Sequence, residues 1–234
     1  TGNTPILFEK SESLGGQFLL AGAISAKKDF KNAVNKMILD VQESGIEVHL
    51  NTIVTKKMLE EIKPDALIVA IGSSPFVLSI EGGERAIVAH DVLSEKVEVP
   101  GENVVIIGGG LVGFETAEFL AARQKKVTIL EMKEKALQDL GPLRQITAQF
   151  AMAQMPITIE TSTTVERIED HVVVASGKEY PYDSVIMAVG SKANDTSMYT
   201  DLGIPTYIVG DCKKAGVALD AFKDAYHAVL EINK

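Results

Sequence analysis

Six residues open the chemical case: Gly108-Gly109-Gly110-Leu111-Val112-Gly113, a GxGxxG array. Such an array alone is a common turn, so its surroundings carry the argument. It follows the apolar run Val104–Ile107 and opens a helical pattern over Leu111–Arg123, and Glu131 closes the next apolar run, Val127–Leu130, roughly 20 residues on. Each part has a physical task. Gly108 permits a tight turn, Gly110 lets the backbone approach a pyrophosphate, and Gly113 allows close helix–strand contact. The helix N-terminus formed by Gly110, Leu111, Val112 and Gly113 attracts the anion through its N–H groups and its dipole. Glu131 can accept hydrogen bonds from both hydroxyls of an adenosine ribose and would repel a 2′-phosphate, which favours NAD(H) over NADP; Lys133 and Lys135 nearby weaken that preference.

A second set of residues echoes the first. Ile6-Leu7-Phe8-Glu9-Lys10 resembles Thr128-Ile129-Leu130-Glu131-Met132-Lys133, and Asp65–Ser73 resembles Asp183–Ser191. The separations agree too: 56 residues from Glu9 to Asp65, and 52 from Glu131 to Asp183. Two ordered matches at near-equal spacing imply two copies of one nucleotide-binding architecture. Glu9 then takes the ribose role in the first copy, the alternative being a solvated carboxylate at a strand end. Gly15-Gly16-Gln17 can bring backbone close to a second dinucleotide. Gly72 and Gly190 end the paired strands in small-residue turns that let a chain pass beside a ligand, and they read equally well as loops. Asp211, after Gly210, can accept a hydrogen bond from a polyol hydroxyl or simply shape an Asp turn. Only eight residues precede Glu9, so the first copy is expected to lack its opening strand and phosphate turn.

The elements that must position these residues are legible from periodicity. Short apolar runs alternate with helical stretches, the pattern of an α/β fold with largely parallel sheets. Phe30–Ser44 places Ala33, Val34, Met37, Ile38 and Val41 on one helical face. Further helices are expected at 58–62, 145–155 and 219–232, and strands at 6–8, 46–50, 65–70, 104–107, 127–130 and 207–209. Residues 163–168, 171–175 and 184–189 read as strands, an antiparallel meander followed by a return to the sheet.

Composition narrows the function classes. With 46% apolar and 24% charged residues the chain is of ordinary globular type. Its net charge of −9 argues against nucleic acid as a partner, which demands Lys and Arg clusters. No run of about 18 apolar residues suggests a membrane span. Cys212 is the single cysteine, so no CxxC pair or Cys-rich metal site exists, and a reducing, cytoplasmic setting is expected. His49, His90, His171 and His227 lie far apart without metal-ligand spacing, and no GxSxG or HExxH occurs. No metal ligand and no acid, base or nucleophile is assigned.

Glu9, Gly15-Gly16-Gln17-Phe18, Gly72–Pro75, Gly108–Gly113, Glu131, Gly190 and Gly210-Asp211 occur in the order of the two-dinucleotide-binding flavoproteins. Within that group the chain resembles the C-terminal half of the 2,4-dienoyl-CoA reductase, 2-enoate reductase and trimethylamine dehydrogenase family. The Gly-Gly-Gln-Phe run and the tail Gly210-Asp211-Cys212…Ala215-Gly216…Ala221…Ala225-Tyr226 carry the closer likeness. The resemblance implies two Rossmann-like domains of the FAD/NAD(P)-binding type, the first truncated at its N-terminus and the second inserted with an antiparallel β-meander. Residues 1–100 plus 194–234 would form the FAD domain and 101–193 the NAD(P)H domain. It implies NADH on Gly108, Gly110, Gly113 and Glu131. It also implies FAD held by Glu9, Gly15, Gly16, Gln17 and Asp211, with FMN and a 4Fe-4S cluster in an N-terminal barrel absent here. That barrel would act on an enoate or enoyl-CoA. The alternatives are an electron-transfer module of the ferredoxin- or rubredoxin-reductase kind and a non-catalytic nucleotide-binding module. A pyridine-nucleotide disulfide reductase needs two redox cysteines, which the single Cys212 excludes. An exposed edge at Ile6–Phe8 is expected to promote homo-oligomer contacts.

Overall fold

A computed structural model describes residues 2–24, 27–138 and 140–234. In chain order the elements are β1 (Ile6–Phe8), α1 (Gly16–Leu20), α2 (Lys28–Glu43), β2 (Glu47–His49), α3 (Lys56–Ile62), β3 (Leu67–Val69) and β4 (Ser73–Pro75). There follow β5 (Ile87–Val88), α4 (Ala89–Leu93), β6 (Asn103–Ile107), α5 (Leu111–Ala121), β7 (Lys126–Leu130), α6 (Pro142–Gln154) and β8 (Ile157–Glu160). The remainder comprises β9 (Val165–Glu169), β10 (Val172–Ala175), β11 (Lys178–Pro181), β12 (Ser184–Met187), β13 (Ser191–Ala193), β14 (Thr206–Ile208) and α7 (Ala218–Ile232). The chain divides into two units: Thr1–Gly22, Lys28–Ser74 and Ser191–Lys234 make the first, and Ala23–Lys27 and Pro75–Gly190 the second.

The second unit is built on five parallel strands in the order β5-β12-β6-β7-β8. Val104–Ile107 and all of β12 are buried, as expected when both faces of a parallel sheet are covered. Side chains alternate between faces. Val105, Ile107, Val185 and Met187 meet Ile168, Val173 and Ala175 of the antiparallel meander β9-β10-β11. Helix α5 packs against β6 and β7 and is buried all round from Gly113 onward, the behaviour of a helix apolar on most sides. The expected face Phe114, Ala117, Ala121 is indeed buried. Strand β11, Lys-Glu-Tyr-Pro, carries no apolar run and escaped the pattern; it completes the meander by pairing with β10.

In the first unit, β1 pairs with β2 and β3 with β14, both in parallel, while β4 pairs with β13. The tail thus returns to β3. These strands are hydrogen-bonded as separate two-stranded pairs. Helix α2 is only partly covered: Val34 is buried, while Met37 is 40% exposed and Ala33 lies open. Helix α3 shows clean local logic. Thr55 caps it by accepting from the Met58 N–H at 3.3 Å, and Lys63 ends it in the left-handed region just before Pro64.

The division is discontinuous in sequence. Residues 75–100 belong to the second unit, where β5 extends the sheet through Ile87 beside Ile186 and Val88 beside Met187. Ala89, Val92 and Leu93 of α4 are buried there. That stretch has no long periodic run, so its allegiance is decided by a strand that arrives much later in the chain.

Candidate functional site

In the second unit the fingerprint sits where β6 ends. Gly108 adopts φ 107°, and its N–H donates to the Leu130 carbonyl at 2.9 Å. A Cβ on Gly108 would lie 2.4 Å from the Ala188 oxygen, and one on Gly113 would lie 2.0 Å from the Gly108 oxygen. Gly113 therefore serves contact between helix and turn more than the expected contact between helix and strand. Gly110 is the N-cap of α5, with no side-chain cap, and Leu111 and Val112 begin a first turn free of acidic residues. The positive end of the helix dipole is thus left without a compensating carboxylate on its own first turn. Gly190, after β12, is exposed, and its carbonyl accepts from the Phe76 N–H at 2.9 Å.

Glu131 is buried and already engaged: Oε2 accepts from the Gly109 N–H at 2.7 Å and Oε1 from the Lys133 N–H at 2.8 Å. The carboxylate clamps the Gly-rich turn to the end of β7. Since an ionised carboxyl can accept about four hydrogen bonds, roughly two sites remain. Sequence reasoning passed over Gly109; its place as the middle of three consecutive glycines was the available signal.

The first unit repeats this corner without the Gly-rich turn. The Glu9 N–H donates to His49 O, Thr52 N–H to Glu9 O and Asn51 N–H to Ser11 O, each at 2.9 Å. The Glu131 N–H donates to Glu160 O, Thr163 N–H to Glu131 O and Ser162 N–H to Lys133 O, again at 2.9 Å. Asn51 and Ser162 share the same left-handed backbone, φ 52° and 53°. Oε1 of Glu9 accepts from the Ser11 N–H at 2.7 Å, as Glu131 does from Lys133. The duplication read from residue types is therefore a duplication of backbone geometry.

Two further expected residues of the first unit, Gln17 and Asp211, meet through a third. Gly15 and Gly16 bring in α1, whose Gln17 donates from Nε2 to both the carbonyl and the Oγ of Ser73, each at 3.0 Å. Ser73 follows Gly72 at the end of β3 and donates from Oγ to Asp211 Oδ2 at 3.0 Å. Asp211 follows Gly210 after β14, and its Oδ1 accepts from the Gly216 N–H at 3.2 Å. Ser73 and Asn194 were missed. Asn194 donates to Ile71 O at 2.8 Å and accepts from Ser74 Oγ at 2.6 Å, pinning the strand exit around Gly72.

The structure also reveals charges within an apolar helix. Glu115 and Glu118 of α5 are buried, paired with Lys27 and Arg144 respectively. Burial pushes the Glu115 carboxyl above its ordinary pKa, and Lys27 opposes that shift. The Arg144 guanidinium lies 5.5 Å from the Phe114 ring centroid. The i, i+3 spacing of two glutamates just after the fingerprint was the signal for this network. Cys212 is buried, with its thiol directed to the carbonyls of Val69 and Val209 at 3.2 Å. Among the described residues no group of three or more His, Cys, Asp or Glu could hold a metal, and no helix is long and apolar enough to cross a membrane.

Comparison with known proteins places this geometry. Residues 4–215 match the family described as pyridine nucleotide-disulphide oxidoreductase. The chain is 32% identical over 244 residues to an NADH oxidase of Thermoanaerobacter brockii, covering 99% of this chain and 38% of that protein. It is 33% identical over 241 residues to a cinnamate reductase of Clostridium sporogenes, covering 99% and 36%. A solved 2-naphthoyl-CoA reductase, in complex with 2-naphthoyl-CoA, superposes with a TM-score of 0.89 at 29% identity over 97% of this chain and 36% of that one. A histamine dehydrogenase from Rhizobium sp. 4-9, at 17% identity and a TM-score of 0.81 over 97% of this chain and 40% of its own, shares the fold. The chain thus spans little more than a third of the length of these relatives. The dithiol of the family's name has no counterpart in these residues, whose single cysteine is Cys212. The chain belongs to the pyridine nucleotide-disulphide oxidoreductase family and is a flavin-dependent NAD(P)H oxidoreductase module, of the FAD- and NAD(P)H-binding Rossmann type.

Proposed function

We propose that the second unit takes NADH in preference to NADPH, and that the first unit holds FAD. The observation that carries the nicotinamide reading is the Gly109–Glu131 hydrogen bond of 2.7 Å, which joins the phosphate turn and the acidic strand end into one rigid corner. Gly108, Gly110, Leu111, Val112 and Gly113 would face the pyrophosphate, and the remaining acceptor sites of Glu131 would take the adenosine ribose hydroxyls. A 2′-phosphate there would meet a buried carboxylate. In the first unit Glu9, in the same backbone setting, would take the FAD ribose. Gly15, Gly16, Gln17, Gly72 and Asp211 would lie along the rest of the cofactor. Gly190 would line the strand exit in the second unit.

When bound, NADH supplies a hydride and FAD accepts it. The chain's own residues bind and orient. The helix N-terminus of α5 compensates phosphate charge, Glu131 selects the ribose, and Asp211 offers acceptors to polyol hydroxyls. In the longer protein this module would feed an N-terminal barrel carrying FMN and a 4Fe-4S cluster and acting on an unsaturated acid or its CoA ester. The names of the cinnamate and 2-naphthoyl-CoA reductases support that substrate class.

Calorimetric titration of the chain with NADH and NADPH tests the reading. NADH should bind about tenfold or more tightly than NADPH, and Glu131→Gln should narrow the gap by weakening NADH. Absence of NADH binding at millimolar concentration would refute it.

A further inference from the structure

The Gln17–Ser73–Asp211 contacts form a chain with a forced direction. The Ser73 carbonyl can only accept, so the atom of Gln17 that faces it must be the amide nitrogen. The same nitrogen lies 3.0 Å from Ser73 Oγ, which therefore accepts from it. The single hydroxyl proton of Ser73 is then available to Asp211 Oδ2, 3.0 Å away. Gly216 N–H holds the other carboxylate oxygen. Each link comes from a different element: Gln17 from α1, Ser73 from β4 beyond Gly72, and Asp211 from the turn after β14. Without the hydroxyl, nothing in this chain of contacts ties the Gln17 side chain to Asp211.

We infer that Ser73 is a positioning residue: its hydroxyl aligns the amide of Gln17 and the carboxylate of Asp211 as one unit that recognises the polyol chain of a flavin. The inference rests on the reading that the first unit holds FAD. Asp211 keeps about one acceptor site on each oxygen, enough for neighbouring hydroxyls of a ribityl chain. Gln17 is exposed, and its Oε1 accepts no hydrogen bond among the described residues. Charge-assisted hydrogen bonds to a carboxylate are strong and geometrically demanding, so a donor that holds Oδ2 fixes where the remaining acceptor sites point.

The test compares the full chain with Ser73→Ala and Ser73→Thr by two readouts. In flavin-free protein, NMR follows the Gln17 side-chain amide and the Gly216 backbone amide. Ser73→Ala should move both, and Ser73→Thr, which keeps the hydroxyl, should restore both. In titrations, Ser73→Ala should weaken riboflavin and FAD by the same factor, about tenfold, because the lost contact concerns the polyol they share. NADH affinity, read in the second unit, should stay unchanged, as a merely local role requires and a general loss of fold would not allow. Static amide signals, or flavin affinity within twofold of wild type, would overturn the inference. If the wild-type chain binds neither flavin, the FAD reading falls separately. The coupled amide response then decides alignment alone: movement of both signals upholds it, and movement of one or neither overturns it.

Discussion

Replacing Gly113 by alanine adds one methyl group at the tightest backbone contact of the fingerprint. Its Cβ would stand 2.0 Å from the Gly108 oxygen and 3.1 Å from the Gly108 carbonyl carbon. Ordinary carbon–oxygen contacts begin near about 3.3 Å, so the shortfall is roughly 1.3 Å. The obstacle is backbone, and α5 is buried along its length from this residue on, so the strain cannot relax by rotating a side chain. Overpacking of this kind costs up to about 3 kcal/mol. Better helix propensity returns about 1 kcal/mol, leaving a net loss of about 2 kcal/mol. Relief by moving the turn would stretch the Gly109–Glu131 bond, so NADH affinity should fall by more than about tenfold. Gly141→Ala is the control. It is the N-cap of α6, its φ is −62° and nothing lies within 4 Å of the added Cβ, so the change should stay within about 1 kcal/mol, the cap preference for Gly over Ala, with NADH affinity unchanged. The chain has no tryptophan, so urea unfolding is best followed by far-ultraviolet circular dichroism. A Gly113→Ala variant with a wild-type midpoint and unchanged NADH affinity would refute the reasoning.

Two predictions concern charge. The N–H groups of Asn103 and Glu102 hold the Asp183 carboxyl below its ordinary pKa. A depressed carboxylate stabilises the fold above its unfolded value, about 3.9, and that contribution is lost as pH falls through the folded value. The drop in urea midpoint from about pH 5 to about pH 3 should therefore be smaller in Asp183→Asn than in wild type; equal drops would count against it. Lys27→Met removes the partner of buried Glu115, whose pKa burial already raises. An ionised carboxyl with a raised pKa costs stability above that pKa, and the cost is relieved as pH falls through it. The variant should lose about 3 kcal/mol at about pH 8 and distinctly less at about pH 5.5; a loss independent of pH would disprove the pairing.

Local residue types made much of the second unit legible. Val104–Ile107, the glycines at 108–113 and Glu131 carry their structural meaning in type and spacing, because an apolar strand, a bare turn and an acidic strand end are each local in origin. The duplication was legible for the same reason, and Asn51 and Ser162 confirm it with no likeness of residue type beyond small polar side chains. Less was legible where contacts are long-range. Ser73 looked like one more loop residue until the fold brought Gln17 and Asp211 to it. Glu115 and Glu118 sat within an apolar helix whose partners come from residues 27 and 144.

The sequence by itself determined two acidic strand ends, one complete Gly-rich turn, a single cysteine and an α/β order of elements, since these depend on residue type and short spacing. Only the tertiary structure decided which unit residues 75–100 join, because β5 gains its hydrogen bonds from β12 and has no periodic signature of its own. It also changed what Glu131 and Gly113 do. The carboxylate first satisfies the buried Gly109 N–H, and the glycine first makes room for the Gly108 oxygen. Buried polar groups must find partners and packed backbones must clear one another, and neither demand can be read before the chain is folded.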